Sequence, residues 1–204
     1  AYVQRVRVGS NVAFTDSAGN VWSGDRAYSP GAFGYTQGGY LWSTSATIAN
    51  TPDTPLFQNN RHDATVTYRF DVPNGTYQVR LRFAEIYPNS FGAGRRVFNV
   101  AIGGTPVLQN FDIFVAAGGG NRELQRSFPV TVADGQLNVG FGSVVSQAAI
   151  NAIQVVQTNP GGPTSTPTLS PSSTATPTPT PQATATATPA PTDTPTPLAT
   201  VTNT

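Results

Sequence analysis

Few side chains in this sequence could carry out acid–base or nucleophilic chemistry. The chain has a single histidine, His62, and contains neither cysteine nor lysine. A Ser–His–Asp triad would need a nucleophilic serine near His62, and the Gly-x-Ser-x-Gly elbow that presents such a serine is absent. With one histidine and no cysteine, we expect no metal and no cofactor, and the sequence lacks the Asp-rich spacing of a calcium loop.

A pair of carboxylates is the other route to catalysis, as in a glycosidase. The candidates are Asp25, Glu85 and Asp112, and each also fits a structural role. Asp25 is beside Arg26, Glu85 ends an apolar strand pattern, and Asp112 interrupts the apolar run 111–114. Because a buried carboxylate is usually bonded to a backbone N–H or an arginine, we expect structural roles and no enzyme. A glycosidase that uses Glu85 and Asp112 is the alternative hypothesis for these carboxylates.

Aromatic residues outside the core are the positive signal for function. Tyrosine and tryptophan offer an apolar face that can stack on sugar C–H groups and a polar edge that can bond hydroxyls. Strand patterns place four phenylalanines in the core: Phe70, Phe83, Phe98 and Phe141. Others fall in loops or at strand ends: Tyr28, Tyr35, Tyr40, Tyr87 and Phe91. This distribution favours a shallow sugar-binding cleft made by loops.

The stretch 71–87 is the element around which the fold is expected to form. Asn74-Gly75 between alternating apolar runs predicts a tight hairpin turn. After it, alternate residues define a core face: Tyr77, Val79, Leu81, Phe83, Glu85 and Tyr87. The opposite face carries Gln78, Arg80, Arg82, Ala84 and Ile86.

The remaining chain shows short strand patterns separated by turn signals. Hairpins are predicted over 14–22, at Gly103-Gly104 and at Asp134-Gly135. The region 23–60 is long and irregular but carries aromatics, which argues against disorder. Without a sustained helical period, the pattern predicts an all-β protein built as an antiparallel sandwich or barrel.

Composition changes sharply near Pro160. Residues 163–204 hold 16 threonines and 10 prolines with no aromatic, so they cannot bury enough apolar surface to fold. We therefore expect one domain over 1–157 and a disordered or extended Thr/Pro-rich linker or stalk over 158–204. The tail is expected to be O-glycosylated, with a bare flexible linker as the alternative. Candidate acceptors are Thr164, Thr166, Thr168, Thr176, Thr178, Thr180, Thr192, Thr194 and Thr196.

Several features point to a secreted or surface-bound protein. The chain begins with alanine just before a strand pattern, as removal of a signal peptide or a cloning boundary would leave it. No apolar run reaches the ~20 residues that span a bilayer, so no membrane partner is expected. Eleven arginines against nearly as many acids leave a net charge of +1, which argues against a nucleic-acid partner.

Seven short motifs occur here in the order found in malectin and malectin-like domains. They are 16–22, 24–28, 58–61, 81–87, 96–100, 111–114 and 150–153. The chain thus resembles that family over about residues 3–157. The resemblance implies a β-sandwich of jelly-roll type that binds carbohydrate without cleaving it.

The resemblance also implies a binding site. Tyr28 and Tyr87 match the family's stacking tyrosines, and His62 stands where another tyrosine is usual. Phe91 is a candidate for the aromatic that usually follows Tyr87, and Ser146 replaces a late aspartate. Gln147 lies beside that position. Tyr28, His62, Tyr87 and Ser146 are therefore expected to converge on one cleft.

Two functional hypotheses from different classes follow. The first is a secreted, non-catalytic module that binds a glucan or another glycan. The second is a structural subunit of an extracellular glycoprotein fibre or surface layer, in which the tail is a glycosylated spacer. Partners would then be other modules of a longer chain or further copies of the subunit.

Overall fold

A computed structural model of the chain describes residues 1–160. Within this part there are fourteen β-strands, numbered in chain order. β1 to β7 are Val3–Arg7, Phe14–Thr15, Val21–Gly24, Phe33–Gln37, Tyr40–Ser43, Asn59–Asp63 and Thr65–Asp71. β8 to β14 are Gly75–Phe83, Val97–Ile102, Thr105–Phe111, Leu124–Val132, Gln136–Val145, Ala148–Ile150 and Ala152–Pro160. Two short helices are α1, Thr54–Phe57, and α2, Ile113–Ala117, and a 3₁₀ turn spans Pro88–Ser90.

The strands form two large sheets and one small one. The six-stranded sheet has the order β11-β8-β14-β1-β3-β2, and the five-stranded sheet has the order β10-β9-β12-β7-β4. A small sheet consists of β13, β6 and β5. Neighbouring strands are antiparallel except for the parallel pair β1 and β3. The two large sheets bury their inner faces against each other, so the predicted all-β sandwich is confirmed.

The core forms where the alternation of β8 predicted it. The side chains of Tyr77, Val79, Leu81 and Phe83 are fully buried and alternate with half-buried residues along the strand. Phe83 is the centre of an aromatic cluster. Its ring centroid is 5.1–6.4 Å from those of three phenylalanines on the facing elements: Phe98, Phe111 and Phe141.

The hairpins predicted at Asn74-Gly75 and Asp134-Gly135 are wrong. β7 and β8 belong to different large sheets, and so do β11 and β12. A type I′ turn needs positive φ at both central residues, whereas only Gly75 of the first pair has it. At both places the chain passes from one large sheet to the other, and the two connecting segments are bonded to each other. Gly135 N–H donates to Asn74 Oδ1, and Val72 N–H donates to Gly135 O, both at 2.9 Å.

Two other predicted hairpins are confirmed. β2 pairs with β3 through Phe14 and Trp22. β9 pairs with β10 across Gly103-Gly104, where φ is 56° and 79°, as a tight turn requires. The region 23–60, predicted to be irregular, contains β4, β5 and α1.

A second apolar cluster covers part of the outer face of the six-stranded sheet. Its buried members are Trp22, Ile48, Leu56, Phe57, Ala84, Ile86 and Ala152. Asn151 fixes this layer, because its Oδ1 accepts from Ala84 N–H at 2.8 Å and its Nδ2 donates to Phe57 O and Asn59 O. These bonds determine where β6, and with it the small sheet, begins.

The described residues end close to the position where the domain was predicted to end and the tail to begin. β14 continues to Pro160, past the boundary expected at residue 157. The candidate glycosylated threonines, from Thr164 to Thr196, lie outside the described residues. Within residues 1–160, no helix is long and apolar enough to span a bilayer.

Phe83→Ala should lower the free energy of unfolding by about 3–5 kcal/mol, because it removes a large ring from a packed core. Urea titration measures this change. Val144→Ala is the matched control, since Val144 is 51% exposed, and it should change stability by less than about 0.5 kcal/mol. Equal effects of the two variants would show that Phe83 is not at the centre of the core.

Candidate functional site

A cavity of about 210 Å³ opens where the small sheet meets the loops that follow β8 and β12. Its lining combines aromatic, basic and polar side chains: Trp42, His62, Tyr87, Arg96, Ser146 and Gln147. A larger groove of about 380 Å³ lies over the five-stranded sheet, but glycines and small side chains form much of it. Aromatic faces beside convergent polar groups are typical of ligand sites, so the smaller cavity is the candidate site.

The small sheet presents one wall of this cavity. β5 pairs with β6 so that Tyr40 is opposite His62 and Trp42 is opposite Asn60. Opposite residues in a sheet point to the same side, and the Tyr40 and His62 rings stack with centroids 5.9 Å apart. Tyr40 is 58% exposed and Trp42 is 40% exposed. Exposed aromatic side chains at one place on a rigid sheet indicate a binding surface.

Tyr87 provides the second aromatic wall. It follows β8, and its ring meets the Trp42 ring edge-on, with centroids 4.7 Å apart and planes at 74°. Its backbone N–H donates to Glu85 Oε1 at 3.1 Å, and its hydroxyl accepts from Asn89 Nδ2 at 3.0 Å. Tyr87 is therefore held at its backbone and at its hydroxyl.

A buried ion pair forms the base of the site. Arg96 Nε donates to Glu85 Oε2 at 2.6 Å, and the two side chains are 4% and 1% exposed. The same guanidinium donates to Gln147 O at 2.5 Å and to Ser90 Oγ at 3.3 Å. Burial raises the pKa of the Glu85 carboxyl, while the charge of Arg96 opposes that rise. One arginine thus joins the loop after β8, which carries Glu85 and Ser90, to the turn after β12, which carries Gln147.

The structural roles predicted for Glu85 and Asp112 are confirmed. Glu85 accepts from Arg96 and a backbone N–H, as described above. Asp112 caps α2 by accepting from Val115 N–H at 3.1 Å, and it also accepts from Gly94 N–H at 2.7 Å. Neither carboxylate lines the cavity.

Asp25 is also structural, although its partner differs from its sequence neighbour. The carboxylate pairs with Arg61 at 3.0 Å instead of Arg26. It accepts from the Tyr68 hydroxyl at 2.8 Å and from Gly9 N–H at 2.9 Å. Since Arg61 and His62 are consecutive on β6, they point to opposite faces. The pair therefore anchors the back of the strand whose front forms the site.

His62 is a neutral imidazole near pH 7. Burial, followed by the positive charge of Arg96, lowers its pKa below the ordinary value, and Asp63 partly opposes the shift. Its Nδ1 is 3.1 Å from Asn60 Oδ1. When Nδ1–H donates to that oxygen, Nε2 becomes the acceptor of the neutral ring.

The structure brings together four of the six residues predicted for the site: His62, Tyr87, Ser146 and Gln147 all line the cavity. Ser146 has a positive φ of 61° in the turn between β12 and β13. This turn places Gln147 so that its carbonyl reaches Arg96.

The structure does not bring Tyr28 to this cavity, which corrects the predicted cleft. Its hydroxyl donates to Asp71 at 2.6 Å, and its ring lies beneath the Arg69 guanidinium at 4.8 Å. Asp71 ends β7, whereas His62 lies just before that strand begins. Seven residues of strand separate these ends by about 20 Å.

Phe91 also lies outside the lining. Its ring stacks on Phe114 with centroids 6.2 Å apart. A Cβ at Gly120 would come within 2.5 Å of that ring, so the glycine is needed for this packing. Phe91 therefore supports the loop that follows Tyr87 and does not face the cavity.

Tyr40 is one of the aromatics expected to form the cleft, whereas Trp42 and Arg96 were not predicted. The signal for Trp42 is its i, i+2 spacing from Tyr40 within a Gly/Ser/Thr-rich stretch, which indicates one face of an exposed strand. Arg96 had no such signal. Its role depends on Glu85, Ser90 and Gln147 converging in space.

Comparisons with known proteins agree with this fold. The family model described as Malectin domain matches residues 2–164. A probable LRR receptor-like serine/threonine-protein kinase of Arabidopsis thaliana is 34% identical over 137 residues, which are 62% of this chain and 13% of the relative. Receptor-like protein 4 of the same plant is 32% identical over 155 residues, covering 70% of this chain and 25% of the relative. The chain thus spans a quarter or less of these relatives.

Solved structures show the same architecture. A β-glucuronidase of Bacteroides uniformis superposes with a TM-score of 0.70 and 28% identity, over 76% of this chain and 18% of the enzyme. The extracellular domain of ANXUR2 from Arabidopsis thaliana gives a TM-score of 0.62 at 17% identity, over 76% of this chain and 48% of that one. The second likeness shows the fold alone.

Glu85→Ala should destabilise the domain by about 3–5 kcal/mol, because it leaves the Arg96 charge buried without its partner. Glu123→Ala is the matched control, since its bond to Arg82 at 3.4 Å is less buried and should contribute about 1 kcal/mol or less. Chemical denaturation of both variants measures the difference. If Glu85→Ala is as mild as the control, the pair is not what holds the cavity together.

His62 should make stability depend on pH. Because the folded-state pKa is lowered, the unfolded chain binds the proton more readily, so stability falls as the pH drops below the ordinary histidine pKa of about 6.5. Urea titrations at about pH 7 and about pH 5 should show a larger loss for the wild type than for His62→Gln. The same loss in both proteins would rule out a contribution from His62.

Proposed function

We propose that this chain, which belongs to the malectin domain family, binds a glycan in the cavity between Trp42 and Tyr87 without cleaving it. The family supports a carbohydrate-binding extracellular module in general. A glucan is the first ligand to test. The observation that carries the proposal is the pair of aromatic walls, Trp42 and Tyr87, standing over the polar base formed by Arg96.

The chemistry of the cavity fits a sugar. The apolar ring faces of Trp42 and Tyr87 can stack on C–H groups, and their polar edges can bond hydroxyls. Ser146, Gln147 and the Nε2 atom of His62 offer donors and acceptors for hydroxyl groups. At about 210 Å³, the cavity is smaller than the roughly 300–1,000 Å³ of drug-sized sites. A short segment or the end of a glycan fits this volume better than a long chain.

The site is also preorganised. Arg96, Tyr87 and His62 each have a hydrogen-bond partner within the protein. Groups that are already ordered lose less conformational entropy on binding, and this raises affinity. The neutral His62 ring keeps its acceptor near pH 7, which supports binding of an uncharged sugar.

The chain is an extracellular or cell-surface domain, in agreement with its malectin-domain family and with its receptor-like relatives. Malectin-like ectodomains of this kind are non-catalytic binding modules, and we propose the same for this chain. The β-glucuronidase similarity covers 18% of that enzyme, so the enzyme's activity is not carried over. The relatives' names describe receptor-like proteins and kinases, and they lend no support to the expected lack of a membrane partner.

The hypothesis of a structural subunit in a fibre or surface layer stays a prediction. A structural subunit of a fibre or surface layer would use the outer faces of the sheets and the tail, and it needs no cavity. A glycosylated tail and contacts with further modules are likewise untested.

Trp42→Ala and Tyr87→Ala should each weaken glycan binding at least about tenfold, or about 1.4 kcal/mol. Isothermal titration calorimetry with glucose disaccharides and longer glucans, selected first on a glycan array, measures the change. Tyr28→Phe is the matched control: it alters an aromatic residue remote from the cavity and should leave affinity unchanged.

The two variants must remain folded for this test, which thermal unfolding checks. Glycan affinity equal to that of the wild type in both folded variants would contradict the proposed site. So would loss of binding in Tyr28→Phe alone.

A further inference from the structure

The strand β5 is an unprotected edge of the small sheet. In the order β13-β6-β5 it pairs with β6 on one side, and no strand within residues 1–160 pairs with its other side. All four of its residues are exposed, and three of them carry large side chains that are mostly apolar: Tyr40, Leu41 and Trp42. A free strand edge of this kind can pair with another chain, so natural proteins usually block it.

The other sheet edges in the described part of the chain are blocked. β10 contains Pro106 and two register shifts, and β11 contains Pro129. β4 has a register shift and forms a bridge with Ala27. β2 has only two residues, and the three residues of β13 are buried. β5 has no proline, no charged side chain and no register shift. Because such devices prevent strand pairing, their absence from β5 indicates that this edge is kept open.

The ladder with β6 determines which backbone groups the open edge offers. Thr44 N–H donates to Gln58 O at 3.0 Å, so these two residues form a hydrogen-bonded pair at the end of the ladder. Along an antiparallel ladder, such pairs alternate with pairs that exchange no hydrogen bond. The N–H and C=O groups of Leu41 and Ser43 therefore point away from β6, towards the open edge.

We propose that this edge pairs with the β5 edge of a second copy of the chain, in an antiparallel dimer with two-fold symmetry. One register uses every outward group: Leu41 lies opposite the partner's Ser43, and Ser43 lies opposite the partner's Leu41. In a hydrogen-bonded pair each residue donates to the other and accepts from it. Trp42 then lies on the two-fold axis, opposite the partner's Trp42, and this contact of two aromatic side chains adds to the pairing.

The charge and size of the edge suit a second copy. β5 has no charged side chain and the chain has a net charge of +1, so two copies repel each other little. Tyr40, Leu41 and Trp42 are 58%, 53% and 40% exposed. Since an aromatic side chain can bury about 150–250 Å², these three offer roughly 300 Å² per copy. Two copies would bury on the order of 600 Å², which predicts a weak dimer that forms only as the concentration rises.

The pairing would place the two candidate cavities on one surface. Directly opposite residues of a sheet share a face, so the Trp42 side chains of both copies lie on the same side. The partner's Trp42 would then stand beside the mouth of the cavity that Trp42 lines. Two sites joined in this way bind a ligand that spans both more tightly than either site alone. This gain in affinity rests on the proposed function, whereas the dimer does not.

Sedimentation equilibrium of the full chain without sugar measures the association. The average mass should rise towards that of two chains as the concentration increases from micromolar to millimolar. Ser43→Pro removes only an outward N–H and should weaken association at least about tenfold, because proline cannot donate to the partner. Ser43→Lys places a charge on the edge and should have the same effect. Thermal unfolding confirms that each variant is folded.

Ser127→Pro is the matched control for the proline variant. Pro129 lies on the edge strand β11, where a proline is tolerated when its position faces away from the neighbouring strand. Ser127 is two residues earlier, so its N–H points outward as well. Ser127→Pro therefore removes an outward N–H from another edge and should leave the association unchanged.

Disulfide trapping tests the register, since the chain contains no cysteine. Trp42→Cys places two thiols opposite each other on the axis, with Cα atoms about 4.5 Å apart, and oxidation should join the copies. Leu41→Cys leaves its Cα atoms roughly 9 Å apart, beyond the reach of a disulfide. Val21→Cys, at a position that is 61% exposed on the six-stranded sheet, should likewise not form a covalent dimer.

Several outcomes would overturn the proposal. One is a wild-type chain that stays monomeric at millimolar concentration. Equal weakening by the folded Ser43→Pro and Ser127→Pro variants would show that another surface associates. Assemblies larger than a dimer would contradict a closed two-fold interface, and equal trapping of Leu41→Cys and Trp42→Cys would refute the register. A monomer that binds glycan refutes the dimer alone, whereas a dimer without glycan affinity refutes the cavity alone.

Discussion

The buried guanidinium of Arg96 is the contact on which the candidate site depends. It bonds Glu85 at the end of the central core strand, Ser90 in the following loop and the carbonyl of Gln147 beyond β12. A buried arginine is costly unless its donors are paired, so these three segments must stay together. The back of the adjacent strand β6 is fixed in a comparable way, by Asp25 and Arg61. Two buried ion pairs thus hold the aromatic walls against a sandwich whose loops could otherwise separate.

Local sequence patterns correctly predicted those parts of the fold that depend on residues close together in the chain. The alternation of β8 and the paired glycines at Gly103-Gly104 correspond to a real core strand and a real hairpin. Asn74-Gly75 has the same kind of signal and fails, because the apolar face of β7 and that of β8 meet across the core from opposite sheets. Which partner a strand takes is decided by burial over the whole domain, and a turn motif carries no information on it.

The site was predictable mainly through the resemblance to malectin-like domains, which pointed to His62, Tyr87, Ser146 and Gln147. All four line the cavity. Tyr28 lies in an equally plausible motif but bonds Asp71, because its position depends on how β4 joins the five-stranded sheet. Trp42 is in the site only because β5 pairs with β6 as a separate small sheet. Such long-range pairings cannot be read from the spacing of a single sequence.

A sugar bound in the cavity would contact Trp42, and the chain's two tryptophans allow a direct measurement. The Trp22 indole is buried and donates to Asp16 Oδ2 at 2.9 Å, whereas Trp42 is at the cavity. In ¹H–¹⁵N NMR spectra recorded during a titration with a glucose disaccharide, the Trp42 indole signal should shift to saturation while the Trp22 signal stays in place. A saturable shift of backbone signals elsewhere with the Trp42 indole unmoved would contradict the account.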